Sequence, residues 1–166
     1  MKTLYLLRHA KSSWDDAKLA DFDRPLNERG RTAAAFMGAL MRSRGYVPDV
    51  ILSSTAVRAL QTTAIVSDAA KFEGKSLLEP QIYEASTGRL IQIVSEIADQ
   101  YRSALLIGHN PGFESLAAWL TGSFESMPTA ALAVITLKIE RWSELDGSCG
   151  KLVEIVRPKE LMEPSS

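Results

Sequence analysis

The stretch TLYLLRHA, residues 3–10, joins a short apolar run to an arginine and a histidine. The run lies between charged residues, a pattern that predicts a short buried strand. A polar stretch without periodicity follows, from Ala10 to Leu26, and connections of this length are often functional. We therefore expect Arg8 and His9 at the end of a strand, where it meets a functional loop.

Along the rest of the chain, short apolar runs typical of strands alternate with longer segments whose apolar residues have helical spacing. Such alternation predicts a mainly parallel sheet with helices on both faces, and so an α/β fold built as a three-layer α/β/α sandwich. Two final strands joined by a glycine-containing loop predict a C-terminal antiparallel hairpin. The predicted strands are 3–7, 50–53, 77–78, 104–107, 132–139 and 151–156, and the predicted helices are 27–43, 55–70, 87–100 and 110–120.

Local signals place two of the helix starts and the end of the chain. Asn27 is a predicted N-cap, and Asn110 followed by Pro111 predicts a second N-cap with proline at the first helical position. The polar tail, residues 158–166, is expected to be frayed. The sequence contains no internal repeat, low-complexity tract or linker, so we predict a single domain over residues 1–166.

Composition excludes several classes of protein. The 166 residues are 46% hydrophobic and 23% charged, which is typical of a globular chain and not of a disordered one. Nineteen basic residues against 20 acidic ones leave no polybasic field, so nucleic acid is not expected as a partner. One cysteine, Cys149, excludes an internal disulfide. With only two histidines as well, we expect no metal site and no cofactor.

The N-terminus lacks the basic start and apolar stretch of a signal peptide. No apolar segment approaches the ~20 residues that span a membrane. We therefore expect a cytoplasmic protein that does not contact a membrane.

The candidate functional residues of the chain follow the predicted strands. Ligands of open α/β sheets bind beyond the carboxyl ends of the strands. Arg8 and His9 follow the first strand, Arg58 follows the second in the first turn of its helix, and His109 follows the fourth. Two helix N-termini, which favour anions, point to the same edge. Two guanidinium groups, two imidazoles and two helix ends suit a phosphoryl group, since arginine supplies planar charge-assisted donors and histidine can attack phosphorus.

Three motifs carry a family resemblance. The segments LRHA (residues 7–10), SSTAVRALQT (53–62) and GHN (108–110) resemble, in order and spacing, the signatures of the histidine phosphatase (phosphoglycerate mutase-like) superfamily. RHAKSSW (8–14) and DRPLNERG (23–30) are most similar to the small SixA-type phosphohistidine phosphatases. Three positions depart from the family: Ala10 replaces the usual glycine, the usual proline of the second motif is replaced near Thr55 and Ala56, and Asp15 stands where the mutases carry a pocket asparagine. We expect the Asp15 carboxylate either to turn away from phosphate or to bind substrate differently.

The resemblance implies a role for each matching residue. His9 would be the nucleophile that forms a phosphohistidine intermediate, while Arg8, Arg58 and His109 would hold the phosphoryl oxygens. Glu84 would be the general acid, with a solvated loop carboxylate as the alternative. Three further residues are candidates for substrate binding: Ser12, Arg24 and Asn110. For Arg24 a structural salt bridge is the alternative.

Three functions are compatible with these residues. The first is a metal-independent phosphatase acting on phosphohistidine in a protein, because the link from Tyr83 to the third helix is too short to close over the site. The second is a phosphatase of a small phosphate ester. The third is a phosphate-binding module without catalysis, which the presence of two arginines and two histidines disfavours.

Overall fold

The computed structural model describes residues 1–162, in which helices alternate with the strands of one six-stranded sheet. Three short 3₁₀ turns, Asp21–Asp23, Pro80–Ile82 and Trp142–Glu144, lie between these elements. The strands are β1 (Lys2–Arg8), β2 (Val50–Ser53), β3 (Lys75–Leu78), β4 (Ser103–Gly108), β5 (Leu132–Leu137) and β6 (Gly150–Val156), and the helices are α1 (Glu28–Ser43), α2 (Val57–Ala70), α3 (Thr87–Ser95), α4 (Gly112–Thr121) and α5 (Pro158–Met162).

The strand order is β3-β2-β4-β1-β5-β6. The pairs β2–β3, β2–β4 and β1–β4 are parallel, whereas β5 runs antiparallel to both β1 and β6. The prediction of a mainly parallel sheet with a C-terminal antiparallel hairpin is therefore confirmed. The carboxyl ends of β1, β2 and β4 meet at one edge, because their registers pair Arg8 with Gly108 and Ser53 with Ile107.

The core has two parts, one on each face of the sheet. Leu4 and Leu6 of β1 pack with α3 and α4, whereas Tyr5 and Leu7 pack with α1 and α2. A central strand covered on both faces needs apolar side chains on both, which is why residues 3–7 form a continuous apolar run. These layers make the predicted α/β/α sandwich.

Among the described residues, no helix is both long enough and apolar enough to cross a membrane.

Three predicted helix boundaries differ from the structure, and α2 begins at Val57, two residues later than predicted. Helix α3 ends at Ser95, not near residue 100, because the Asp99 carboxylate accepts from the Trp142 amide and the Asp99 carbonyl accepts from the Lys2 ammonium. The N-cap of α4 is Pro111, after a cis Asn110–Pro111 peptide, so proline is not the first helical residue.

Smaller differences lie at the C-terminal end. Strand β5 ends at Leu137, two residues earlier than predicted. Residues 158–162, expected to be frayed, form helix α5. The rest of the predicted frayed tail lies outside the described residues.

The loop between β1 and α1 is held against the start of α1. Ser12 and Leu26 form an isolated antiparallel bridge, and the Asn27 amide donates to the Lys11 carbonyl at 3.0 Å. Asn27 is the N-cap of α1, as predicted, and accepts from the Gly30 amide at 2.8 Å. The loop thereby returns to the same sheet edge that it left.

We expect Gly30→Ala to destabilise the protein. A Cβ at Gly30 would lie 2.1 Å from the Lys11 carbonyl oxygen, so the backbone must shift. Overpacking of this kind costs about 1–3 kcal/mol. The control is Gly88→Ala, also in the first turn of a helix, where the added Cβ meets only the Ser86 hydroxyl oxygen at 3.9 Å. Urea unfolding of both variants is the measurement, and equal stabilities would contradict the close approach.

Candidate active site

A cavity of about 360 Å³ opens at the carboxyl edge of the sheet. It brings together seven of the eight site residues that we predicted, while the eighth, Glu84, does not line it. The predicted residues that line the cavity are Arg8, His9, Ser12, Arg24, Arg58, His109 and Asn110, and the others are Lys11, Trp14 and Thr129.

His9 is held with one ring nitrogen ready to act as a nucleophile. Its backbone amide donates to the Gly108 carbonyl at 2.9 Å, which extends the β1–β4 ladder by one residue. Its Nδ1 lies 2.7 Å from the Ala10 carbonyl oxygen. Because a carbonyl only accepts, Nδ1 carries the proton and Nε2 carries the lone pair. The Nε2 atom lies 3.4 Å from Nε of Arg58.

The environment keeps His9 neutral. Burial lowers the pKa of its imidazole to about 4; the bond to Ala10 opposes this shift, and the charges of Arg58 and Arg8 add to it. A neutral imidazole is the form that can attack phosphorus. The neighbouring arginines therefore disfavour protonation of His9, although desolvation is the larger cause.

His109 faces His9 across the cavity and is fixed by Ser54. The two ring centroids are 5.1 Å apart. Ser54 Oγ lies 2.7 Å from Nε2 of His109 and also accepts from the Ala56 amide, so its own proton can go to that ring nitrogen. Burial, together with the charges of His9 and Arg58, lowers the pKa of His109 to about 3.

We expect both imidazoles to titrate far below the usual histidine pKa of about 6.5. Since the chain has only two histidines, NMR titration of the ring resonances reads each directly. The transitions should centre near pH 4 for His9 and pH 3 for His109, with His109→Gln giving the assignment. Between these low values and about pH 6.5, the unfolded chain binds more protons than the folded chain. The free energy of unfolding should therefore fall as the pH drops below about 6.5. A transition of His9 near pH 6.5 would contradict this environment.

Arg58 and Arg24 converge on Asp21, a loop residue that the sequence analysis missed. Arg58 donates through Nη2 to the Asp21 carboxylate at 2.9 Å and through Nη1 to its carbonyl at 2.7 Å. Arg24 donates to the other carboxylate oxygen at 3.0 Å. Hydrogen bonds from Tyr83 and Arg58 lower the pKa of Asp21 to about 2, against an opposing effect of burial. Arg24 thus forms the salt bridge that was predicted as its alternative role, and it also lines the cavity.

Arg24 also organises the cavity rim. It donates through Nε to the Ser13 carbonyl at 3.0 Å and through Nη2 to the Ser12 hydroxyl. Its guanidinium carbon stacks 3.2 Å from the ring centroid of Trp14, whose side chain is exposed. Ser12 therefore reaches the cavity as a partner of Arg24.

Arg8 and Asn110 share one acceptor, the carbonyl of Met127. Arg8 Nη1 donates to it at 3.1 Å and Asn110 Nδ2 at 2.8 Å, while the Met127 amide donates to the Glu114 carboxylate at 2.7 Å. Within residues 1–162, Nε of Arg8 has no hydrogen-bond partner. The atom is buried, so an oxyanion reaches this donor only after a local rearrangement of the cavity wall.

Glu84 lies at the edge of the site. It is exposed, its backbone is left-handed with a φ of 55°, and its carboxylate approaches the Tyr83 hydroxyl. Tyr83 also donates to Asp21 at 2.7 Å and packs edge-on against His109. Asp15 is exposed, and its amide donates to the Ser13 hydroxyl.

The polar groups of the site are suited to an anion. Among the described residues, no group of three or more His, Cys, Asp or Glu side chains is placed to hold a metal ion. Three arginine side chains and two neutral imidazoles surround one cavity instead. Guanidinium groups match the oxygens of a phosphoryl group in geometry and charge.

Comparison with known sequences identifies relatives over most of the chain. The family model for the histidine phosphatase superfamily (branch 1) matches residues 4–114. An uncharacterised chloroplastic protein of Arabidopsis thaliana is 33% identical over 170 residues, covering 95% of this chain and 78% of that protein.

Solved structures share the fold. A structure from Agrobacterium tumefaciens, provisionally assigned as the phosphohistidine phosphatase SixA, has a TM-score of 0.82 and 30% identity, covering 95% of this chain and 98% of that one. The protein histidine phosphatase SixA in complex with tungstate also has a TM-score of 0.82, at 23% identity, covering 96% and 99%. At the lower identity the likeness shows the fold alone.

Proposed function

The chain belongs to the histidine phosphatase superfamily, and from this premise we propose that it is a metal-independent phosphatase that removes the phosphoryl group from phosphohistidine in a protein. The observation that carries the proposal is the neutral imidazole of His9. Its unprotonated Nε2 lies at the floor of the cavity, 3.4 Å from Nε of Arg58. A nucleophile beside cationic donors is what phosphoryl transfer requires.

The reaction has two balanced steps. In the first, the lone pair on Nε2 of His9 forms a bond to phosphorus while the P–N bond of the substrate breaks, and the departing imidazole takes a proton from solvent. In the second, a water oxygen attacks phosphorus and loses a proton while the bond to Nε2 breaks, which releases phosphate and restores His9. We expect Arg8 and Arg58 to hold phosphoryl oxygens in both steps, where their charge and hydrogen bonds act on the transition state, and the same role for His109 stays a prediction.

Two features favour a phosphohistidine substrate. The leaving imidazole has a conjugate acid with a pKa of about 6.5, so it departs without a strong acid beside it. This fits a cavity whose lining residues do not include Glu84. The cavity is also open at a rim where the Trp14 side chain is 76% exposed, so a side chain of a folded protein can reach His9. The cytoplasmic location and the single domain stay predictions.

A substrate panel tests the proposal. We would compare a protein carrying phosphohistidine with an alkyl and an aryl phosphate ester at matched concentrations, with EDTA in every arm. We expect kcat/KM to be higher for the phosphoprotein than for the alkyl ester by about two orders of magnitude or more. A preference for an ester would instead favour a small-molecule phosphatase. Phosphate binding without turnover of any substrate would favour a non-catalytic module.

The role of Glu84 can be measured through the leaving group. We expect Glu84→Gln to slow hydrolysis of an alkyl phosphate much more than that of phosphohistidine, because an alkoxide needs a proton to depart and imidazole does not. Loss of a positioned acid costs about 10²–10⁴-fold where proton transfer limits the rate. The measurement is kcat/KM of the variant on both substrates. Equal, small effects would assign Glu84 to its alternative as a solvated loop carboxylate.

A further inference from the structure

Asp21 connects three parts of the cavity wall. Its carboxylate accepts from Arg58, Arg24 and the hydroxyl of Tyr83, and its carbonyl accepts from Arg58 as well. The Asp21 side chain is 50% exposed, whereas that of Arg58 is only 8% exposed. One loop residue thus gathers donors from the loop itself, from α2 and from the segment before α3.

The pattern of these bonds divides the Arg58 guanidinium into two edges. The end edge, formed by Nη1 and Nη2, is taken by the carbonyl and the carboxylate of Asp21 at 2.7 and 2.9 Å. The side edge carries Nε, which lies 3.4 Å from Nε2 of His9. A guanidinium has five donors in a rigid plane, so fixing one edge also fixes the direction of the other.

We propose that Asp21 is a positioning residue, which holds the end edge of Arg58 so that its side edge faces the phosphorus above His9. This inference rests on the proposed function, since it concerns the same phosphoryl group. Nε of Arg58 donates to Nε2 of His9 at 3.4 Å, and the second hydrogens of Nη1 and Nη2 remain for the substrate. Asp21 therefore stays in place during the reaction and supports transition-state geometry more than ground-state binding.

Two other roles for Asp21 fit the contacts less well. An acid must carry a proton, and the pKa of Asp21, about 2, leaves it ionised at neutral pH. An inhibitory plug must block the phosphate donors, but the contacts of Asp21 leave the side edge of Arg58 and Nε of Arg8 unoccupied by it.

The test compares Asp21→Ala and Asp21→Asn with Asp23→Asn. Asp23 belongs to the same 3₁₀ turn, is exposed, and makes no side-chain hydrogen bond or ion pair within the described part of the chain, so it is a matched control. We would measure kcat and KM, with inhibition constants for inorganic phosphate, a ground-state mimic, and orthovanadate, which becomes five-coordinate on a nucleophile. When positioning is lost, the affinity for a transition-state analogue falls in parallel with kcat.

For Asp21→Ala we expect kcat and vanadate affinity to fall together by about tenfold, the usual scale for a lost hydrogen bond to a charged group. Phosphate affinity should change by less than about threefold. Removing the negative charge of Asp21 favours binding of an anion, and this gain offsets the lost orientation of the Arg58 guanidinium. Asp21→Asn keeps one acceptor oxygen and should be intermediate. Asp23→Asn should match the wild type.

A double variant tests whether Asp21 acts through Arg58. If it does, Asp21→Ala should have little further effect on vanadate affinity in an Arg58→Ala background. Additive losses, unchanged vanadate affinity in Asp21→Ala, or a faster variant would overturn the proposal. If the wild type hydrolyses no substrate while the vanadate effects appear as expected, the proposed function fails and the positioning role stands.

Discussion

Replacing His9 with alanine should abolish turnover and, with it, the covalent phosphoenzyme. His9 offers a neutral Nε2 in the cavity, and His109 is the other cavity residue with an imidazole ring. Nδ1 of His109 is buried, and its Nε2 is bonded to Ser54, so it cannot take over the attack without breaking that contact. Loss of the nucleophile in a covalent mechanism costs on the order of 10³-fold or more in kcat.

The measurement is a rapid quench with a ³²P-labelled phosphohistidine protein, followed by mass spectrometry under conditions that preserve phosphohistidine. The wild type should carry one label on His9, and His9→Ala should carry none. Binding of inorganic phosphate to His9→Ala shows that the cavity remains folded. Label on another residue, or turnover unchanged in His9→Ala, would refute the assignment.

The central sheet could be predicted because its signals are local. Residues 3–7 form an apolar run that suits a strand buried on both faces, and β1 is central in the sheet. The carboxyl ends of parallel strands meet at one edge whatever the details of packing. That rule alone placed Arg8, His9, Arg58 and His109 together, and the cavity contains all four.

The contacts that orient those residues could not be predicted in the same way. Asp21 and Arg58 are 37 positions apart, and Arg8 reaches the Met127 carbonyl across 119. Such pairings depend on how a long loop folds back, which residue types and periodicity do not encode. One signal was available: Asp21 and Arg24 are three residues apart in the polar loop, at a spacing typical of an ion pair.

The boundary of α3 shows the same limit. Its helical periodicity continues past Ser95, but the Asp99 carbonyl and carboxylate serve Lys2 and Trp142, which lie far away in sequence. Local propensity gives way where a tertiary contact offers the backbone a better partner. Residues 96–101 therefore lie at the end of the sheet opposite the cavity, where β1 and β4 begin.

Arg58→Ala should reduce kcat/KM by about 10²–10³-fold, the scale for loss of one donor to a developing charge. The loss should be similar for phosphohistidine and for a phosphate ester, because the phosphoryl group is common to both and the leaving group is not. Arg58→Lys should not restore activity. A lysine ammonium is a point charge and cannot bond to Asp21 along one edge while presenting a fixed N–H to phosphorus along the other.

The measurement is kcat/KM of both Arg58 variants on both substrates. Arg42→Ala, which removes an exposed arginine from the last turn of α1, controls for the general loss of positive charge. A much larger loss on the ester than on phosphohistidine would mean that Arg58 acts on the leaving group and not on the phosphoryl oxygens. Recovery in Arg58→Lys to near the wild-type rate would mean that charge alone suffices, and that the planar geometry shared with Asp21 does not matter for catalysis.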